Sequence, residues 1–402
     1  MPRIYRGWWV VSVPFLAAAL GTGAGQYGFG IFIEPLEQTF GWSRSQISAS
    51  LSFTAVGSLL APMLGRFIDR YGARPVIAGS LALVALSFVM RPMMTELWHW
   101  YALSLLQYAG YTGASMLPAG KLVGLWFRRT RGRVMGITAM GNNFGGLVFP
   151  PMMGWMLLLM SWQATYVALG IMTVLLLAYT LLMVRDSPSE CDLEDGATEL
   201  EIRGAAPVTG RTVGQALRDK SFYAIAVAVT LGTFTYSAII PQIIPHLLDG
   251  GTTLAVASIV LSLYAIAGMV GKFIMGLVAE RVTSRYALML NFVGQAVFLL
   301  AMIRADNPMV MWTAVPVLGI FNGAFGALFQ LVVQDAFGIR YFGSIMGLIN
   351  FATLVSFFFG PILAGVSYDI TGSYTLAFLA VSGMFATAAL ALTQAKPRTD
   401  LQ

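Results

Sequence analysis

The residues best placed to do chemistry are two lysines and a histidine embedded in otherwise apolar stretches. Lys272 lies in Gly271-Lys272-Phe-Ile-Met-Gly276. An ammonium inside lipid costs several kcal/mol unless it faces a wet cavity or a partner, so it marks a pathway by default. All eighteen acidic residues read as lying in loops or at helix ends, which leaves an organic anion, water or carbonyls to neutralise Lys272. Tyr264, Gly268 and Lys272 recur at i, i+4 and i+8 on one helical face, and Gly268 leaves room beside the ammonium. The alternative is a lysine snorkelling to the cytoplasmic interface. For Lys121, at the inner end of its span, snorkelling is the stronger reading. His246 is one of two histidines; the other, His99, is interfacial beside Trp98 and Trp100. Gln242 and His246 share a helix face, and histidine changes charge near physiological pH. His246 is therefore a candidate for proton coupling, the alternative being a neutral ring hydrogen-bonded near the outer interface.

The elements that position these groups follow from composition. Hydrophobic residues make up 57% of the 402 and charged residues 10%, with a mean hydropathy of +0.74. A helix needs ~20 apolar residues to cross the hydrocarbon core, where its own backbone bonds must satisfy every polar group. Twelve such spans are expected, at about 8–30, 46–65, 75–94, 98–121, 134–158, 162–184, 221–247, 253–279, 286–304, 309–333, 343–366 and 373–394. With both termini cytoplasmic, nineteen Lys and Arg fall on the inner side and three, Arg44, Arg91 and Arg304, on the outer, as the positive-inside rule requires. The net charge of +6 is then a topogenic signal with some attraction to anionic lipid, not a nucleic-acid footprint. Met1 to Arg6 lead straight into a span without a cleavage site, so the first helix is expected to stay. Cys191, the single cysteine, excludes an intramolecular disulfide. Residues 185–220 are polar and acidic and read as a cytoplasmic linker, giving an N-terminal bundle over 1–184 and a C-terminal one over 221–402.

The two halves repeat at a constant offset of 211. Gly65-Arg-Phe-Ile-Asp69-Arg70-Tyr-Gly-Ala-Arg74 returns as Gly276-Leu-Val-Ala-Glu280-Arg281-Val-Thr-Ser-Arg285. Gly132-Arg-Val-Met135-Gly136 matches Gly343-Ser-Ile-Met346-Gly347, and Pro150 and Gly154 match Pro361 and Gly365. An acid at a helix end with arginines beyond it can form a charge network holding one conformation of the cytoplasmic face. Asp69, Arg70, Arg74, Glu280, Arg281 and Arg285 are the gating candidates. An ordinary positive-inside loop would explain the arginines but neither the acid nor the repeat.

This block resembles the loop signature of the major facilitator superfamily, G-x-x-x-D-R-x-G-x-R between helices 2 and 3. Within it the chain looks like the monocarboxylate porter and oxalate:formate antiporter branch. The residues carrying that likeness are Arg6-Gly7-Trp8-Trp9-Val10-Val11, Phe40-Gly41-Trp42-Ser43-Arg44, and Trp126-Phe127-Arg128-Arg129-Thr-Arg131-Gly132-Arg133-Val-Met-Gly136. The resemblance implies an all-α integral membrane protein of twelve helices in two six-helix repeats. It also implies organic-anion transport, often with a proton, and a cationic residue in helix 8, where Lys272 stands. The animal lactate carriers have an aspartate four residues before their helix 8 arginine; here Gly268 occupies that place. The resemblance further implies a cavity lined mainly by helices 1, 4, 7 and 10. That favours Tyr27, Tyr111, Asn143, Tyr236 and Asn322 as cavity residues, with interhelical packing as the alternative for each.

No metal cluster, no nucleophile with its base and no phosphate-cradling loop is found. Gly-Asn-Asn-Phe-Gly-Gly at 141–146 lies inside an apolar span and lacks the Lys-Ser/Thr pair. The expectation is a secondary transporter, not an enzyme, without cofactor, in the cell (inner) membrane and acting as a monomer. It would carry a small organic anion by alternating access, with a proton as possible co-substrate. A larger neutral or amphipathic solute is the second reading, since 12% of residues are aromatic.

Overall fold

The computed structural model describes residues 5–42, 46–47, 49–127, 129–186 and 210–395. Most of the expected linker, with Cys191 and its acidic run, lies outside the described residues, as do Arg3, Arg44, Arg128, Arg203, Lys396 and Arg398. The described chain is helical throughout, with one isolated bridge between Gly210 and Gly338. Twelve principal segments follow in order: α1 Arg6–Tyr27, α2 Ala49–Tyr71, α3 Ala73–Met93, α4 made of Leu97–Ala114 and Met116–Trp126, α5 Arg131–Leu159, α6 Trp162–Met183, α7 Lys220–Asp249, α8 Leu254–Arg281, α9 Ser284–Met302, α10 Pro308–Phe337, α11 Phe342–Thr371 and α12 Thr375–Leu392.

Their boundaries are set by ordinary helix chemistry. Ser161, Asp219, Thr253, Thr283 and Asn307 cap the first turns of α6 to α10, each side chain accepting from a backbone N–H that would otherwise be unsatisfied. The α2–α3 turn needs Gly72 at φ 92°. There Asp186 accepts from the backbone N–H groups of Ala73 and Arg74, and a Cβ on Gly72 would collide with that carboxylate.

Among the described residues, ten helices are long and apolar enough to cross a membrane. The expected fourth and fifth spans are the other two, for separate physical reasons. In α4 the 18-residue segment Leu97–Ala114 is diluted by His99, Ser104, Gln107 and its tyrosines, and the helix breaks at Ser115, φ −112° and ψ −104°, where Pro118 has no N–H and its ring crowds the carbonyl four residues back. The apolar content of α5 is diluted by Asn142, Asn143, Pro150, Pro151 and its glycines, although the helix runs for 29 residues.

The 211-residue repeat is visible in the helices themselves. Ala73 and Ser284, Leu97 and Pro308, and Arg131 and Phe342 begin matched helices at that offset. The first helix of each half also carries one π-helical turn, Gly23–Tyr27 in α1 and Thr235–Ile239 in α7. Such wide turns release a backbone group and concentrate at functional positions.

By internal packing the chain forms two compact units, one of Met1–Arg128 with Thr138–Val208 and one of Arg129–Ile137 with Thr209–Gln402. In the first, Trp100, Phe88 and Phe32 are fully buried. In the second, Phe292 packs against Phe325 and Phe385 at centroid distances of 5.6 and 6.1 Å. Outward-facing residues are apolar instead of charged: Leu158, Leu182 and Ile370 are 84, 70 and 72% exposed. Large apolar surfaces of that kind belong against lipid.

Candidate functional site

In the second unit the site grows from the contact between α8 and α10. Small residues let the two backbones touch. A Cβ on Gly319 would meet the backbone of Tyr264, one on Gly323 that of Gly268, and one on Gly271 that of Ile320. The space beside Gly268 is therefore filled by α10, which corrects the expectation that it is left open next to Lys272. Lys272 itself is buried, 6% exposed.

The same contact aligns a buried polar row. Tyr264 Oη donates to Asn322 Oδ1 at 2.7 Å, and Asn322 Nδ2 donates to Gln295 Oε1 at 3.4 Å. Gln295 Oε1 also accepts from Thr235 Oγ1 at 3.0 Å, while Gln295 Nε2 donates to Asn291 Oδ1 at 2.7 Å. Asn291 closes the row on the Phe321 carbonyl. Four helices, α7, α8, α9 and α10, are thus joined through neutral polar groups, each satisfied by the next. Thr235 belongs to the π-turn of α7. Its neighbour Tyr236 is 38% exposed, with its ring 6.2 Å from Phe325. His246, half-buried near the end of α7, donates from Nε2 to the Met302 carbonyl at 2.9 Å and lies edge-on to Phe378.

The first unit carries an open cavity of about 200 Å³. Tyr111 lines it, together with Gln26, Thr22, Tyr108 and Asn142. Tyr27, 56% exposed, and Asn143 are not among its walls. Tyr108 Oη donates to the Gly25 carbonyl in the α1 π-turn at 2.8 Å, which anchors α4 to the irregular part of α1.

The gating candidates separate. Asp69 pairs with Lys121, Nζ to Oδ1 3.0 Å, and Lys121 also donates to the Ile68 carbonyl at 2.9 Å. This replaces the expectation that Lys121 snorkels. Glu280 binds Arg133, accepting from its backbone N–H at 2.9 Å and from Nε at 3.1 Å. Arg74 donates to the Leu181 carbonyl at 2.5 Å and Arg285 to the Thr393 carbonyl at 2.9 Å. Arg70 lies over the Tyr71 ring, and Arg285 also over Tyr286. Two charged residues were not singled out from the sequence. Asp335, 7% exposed at the end of α10, pairs with Arg131 and accepts from Ser284. Arg91, assigned to an outer loop, is 2% exposed inside the first unit.

The Major Facilitator Superfamily model matches residues 15–250 and 222–401, which together span both repeats. The chain belongs to the major facilitator superfamily. Its fold is therefore twelve membrane helices in two repeats, which takes in α4 and α5, and the protein is a multi-pass membrane transporter. Among its relatives are monocarboxylate transporter 13 of Bos taurus, 26% identical over 94% of this chain and 86% of the relative, and monocarboxylate transporter 12 of Rattus norvegicus, 25% identical over 93% and 82%. The hexuronate transporter of Bacillus subtilis (strain 168) is 24% identical over 87% of this chain and 85% of its own. Solved structures with the same fold include the proton:xylose symporter XylE, TM-score 0.76 and 14% identity over 96% and 94% of the two chains. The human organic anion transporter MFSD10 gives a TM-score of 0.68 and 15% identity over 98% and 100%.

Proposed function

We propose that this transporter carries a small organic anion, a carboxylate, by alternating access, and that Lys272 meets the anionic group. The observation carrying this reading is the burial of an ammonium at 6% exposure on a membrane helix. In a low-dielectric cavity it attracts a carboxylate by several kcal/mol more than in water, though desolvating both partners offsets much of the gain. The carboxylate chemistry shared by the named substrates of the monocarboxylate and hexuronate relatives supports the same class.

On this reading Tyr264 and Asn322, with Tyr27, Tyr111, Asn143 and Tyr236, shape the path. His246 takes part in proton coupling. Asp69 and Glu280, with Arg70, Arg74, Arg281 and Arg285, bias the cytoplasmic gate. The chain sits in the cell membrane with both termini cytoplasmic and the linker joining two six-helix bundles. Uptake of labelled lactate, pyruvate, glucuronate and glucose into proteoliposomes, with and without an inward proton gradient, tests the proposal. Accumulation of a carboxylate driven by the gradient is expected. Uptake of glucose alone would transfer the reading to a neutral solute.

A further inference from the structure

The first unit contains a cation that the Lys272 reading does not use. Arg91, at the end of α3, is 2% exposed, and none of the ion pairs among the described residues includes it. Its partners are neutral. Nη1 donates to Tyr166 Oη at 3.1 Å, and Nη2 to Ser104 Oγ at 3.3 Å and to Gln107 Oε1 at 2.5 Å. The guanidinium lies over the rings of Trp100 and Tyr166 at 4.2 and 4.6 Å, and its buried Nε meets no acceptor. A buried charge left without a counter-charge is costly, so its position calls for a use.

The direction of the hydrogen bonds supplies one. Arg91 can only donate, so the atom of Gln107 facing it must be the carbonyl oxygen. That orients Gln107 Nε2 toward Tyr111, where it donates to Oη at 3.2 Å. Tyr111 accepts that bond and keeps its own hydroxyl hydrogen, and Tyr111 lines the cavity. Elsewhere in the lining Thr22 Oγ1 donates to Asn142 Oδ1 at 3.2 Å, which leaves the Asn142 Nδ2 hydrogens available as well. A cation, an amide and a phenol thus run in series, all donating toward the cavity, whose volume of about 200 Å³ equals that of roughly six waters.

We infer that this cavity is a subsite for an anionic oxygen, a carboxylate of a small organic ion, contacted by Tyr111 and Asn142. Arg91 is its positioning residue and acts through Gln107. The subsite rests on the carboxylate reading proposed above but does not require Lys272 to be the residue that meets the anion.

Gln107→Glu gives the discriminating variant. It keeps the shape and gives Arg91 a better partner, but a carboxylate only accepts, so Tyr111 must turn its hydroxyl toward Glu and away from the cavity. Equilibrium binding of labelled lactate and glucuronate, with lactamide and glucose as neutral counterparts, is measured on the purified full chain. The wild type is expected to prefer a carboxylate. Gln107→Glu and Tyr111→Phe should each weaken that carboxylate about tenfold, the scale of one hydrogen bond to a charged group, with the neutral counterpart unchanged. Arg91→Lys should keep part of the preference and Arg91→Gln lose it. Wild-type carboxylate affinity in Gln107→Glu and Tyr111→Phe, equal weakening of charged and neutral probes, or no carboxylate preference in the wild type would each overturn the inference. Loss of binding in Lys272→Gln alone would overturn it and leave the lysine reading intact. Loss in the Gln107 and Tyr111 variants alone would uphold the subsite and remove the lysine.

Discussion

At the scale of single residues, charge in an apolar setting is what the sequence displays most clearly, and Lys272 is the plainest case. A lysine in a long apolar run has few places to go, and the structure buries it. Lys272→Gln keeps length and polarity but removes the charge, so accumulation of a carboxylate should be abolished in proteoliposomes, while Lys272→Arg should retain part of it. Unchanged uptake in Lys272→Gln would remove the lysine from the substrate path. His246 calls for a different measurement, because its Nε2 already donates to a carbonyl. If the ring relays a proton, His246→Ala should flatten the dependence of uptake on pH while leaving exchange of substrate across the membrane. Arg91 and Lys121 show where reading residues one at a time fails. Each stands near the end of an apolar run, where loop, snorkel and buried ion pair look alike in sequence. Only the fold reveals that Ser104, Gln107 and Tyr166 surround the first and that Asp69 meets the second.

At the scale of elements, hydrophobic run length gave the helices, while proline and glycine gave their irregularities. The span expected over 98–121 runs through Pro118, so the break at Ser115 is a finding of the structure, and the π-turns at Gly23–Tyr27 and Thr235–Ile239 have no local signature, because they depend on neighbouring helices taking up the freed groups. The glycines of α8 and α10 were visible, but not their use. Gly268 looked like room for a ligand and is instead where α10 passes, against Gly323. Gly323→Leu should therefore push α8 and α10 apart and disrupt the Tyr264–Asn322 bond. Overpacking of this kind costs about 1–3 kcal/mol, so a lowered Tm together with reduced uptake is expected, and a wild-type Tm would show that the contact yields freely. The Lys121–Asp69 pair joins α4 to α2 with side chains only 11 and 6% exposed. Removing one partner of such a pair costs about 3–5 kcal/mol, and replacing both by apolar groups is close to neutral. Lys121→Met should accordingly lower Tm, and the double change Lys121→Met with Asp69→Leu should recover most of it. If the pair also serves the gate, the double variant will be stable and still transport poorly; stable and fully active protein would restrict the pair to packing.

At the scale of the whole molecule, the repeat was the most legible feature, because an offset kept over three separate motifs constrains topology more than any one of them. Matched helix starts at the same offset follow from it. What the sequence left out is how polar residues in different helices find one another, since Thr235, Tyr264, Gln295 and Asn322 are far apart along the chain and meet only across four packed helices. Orientation, by contrast, is a property of the sum. Nineteen basic residues are expected inside and three outside. Translocation responds to charges in short loops near helix ends, so the bias predicts one orientation for the whole chain. The single native cysteine makes this directly measurable. In a Cys191→Ser background, a cysteine at Thr252, in the α7–α8 turn, should react with a membrane-impermeant maleimide added outside intact cells, whereas one at Gly214, shortly before α7, should react only after the membrane is opened. Labelling of the Gly214 site in intact cells, with protection of the Thr252 site, would invert the topology and with it the assignment of Asp69 and Glu280 to a cytoplasmic gate.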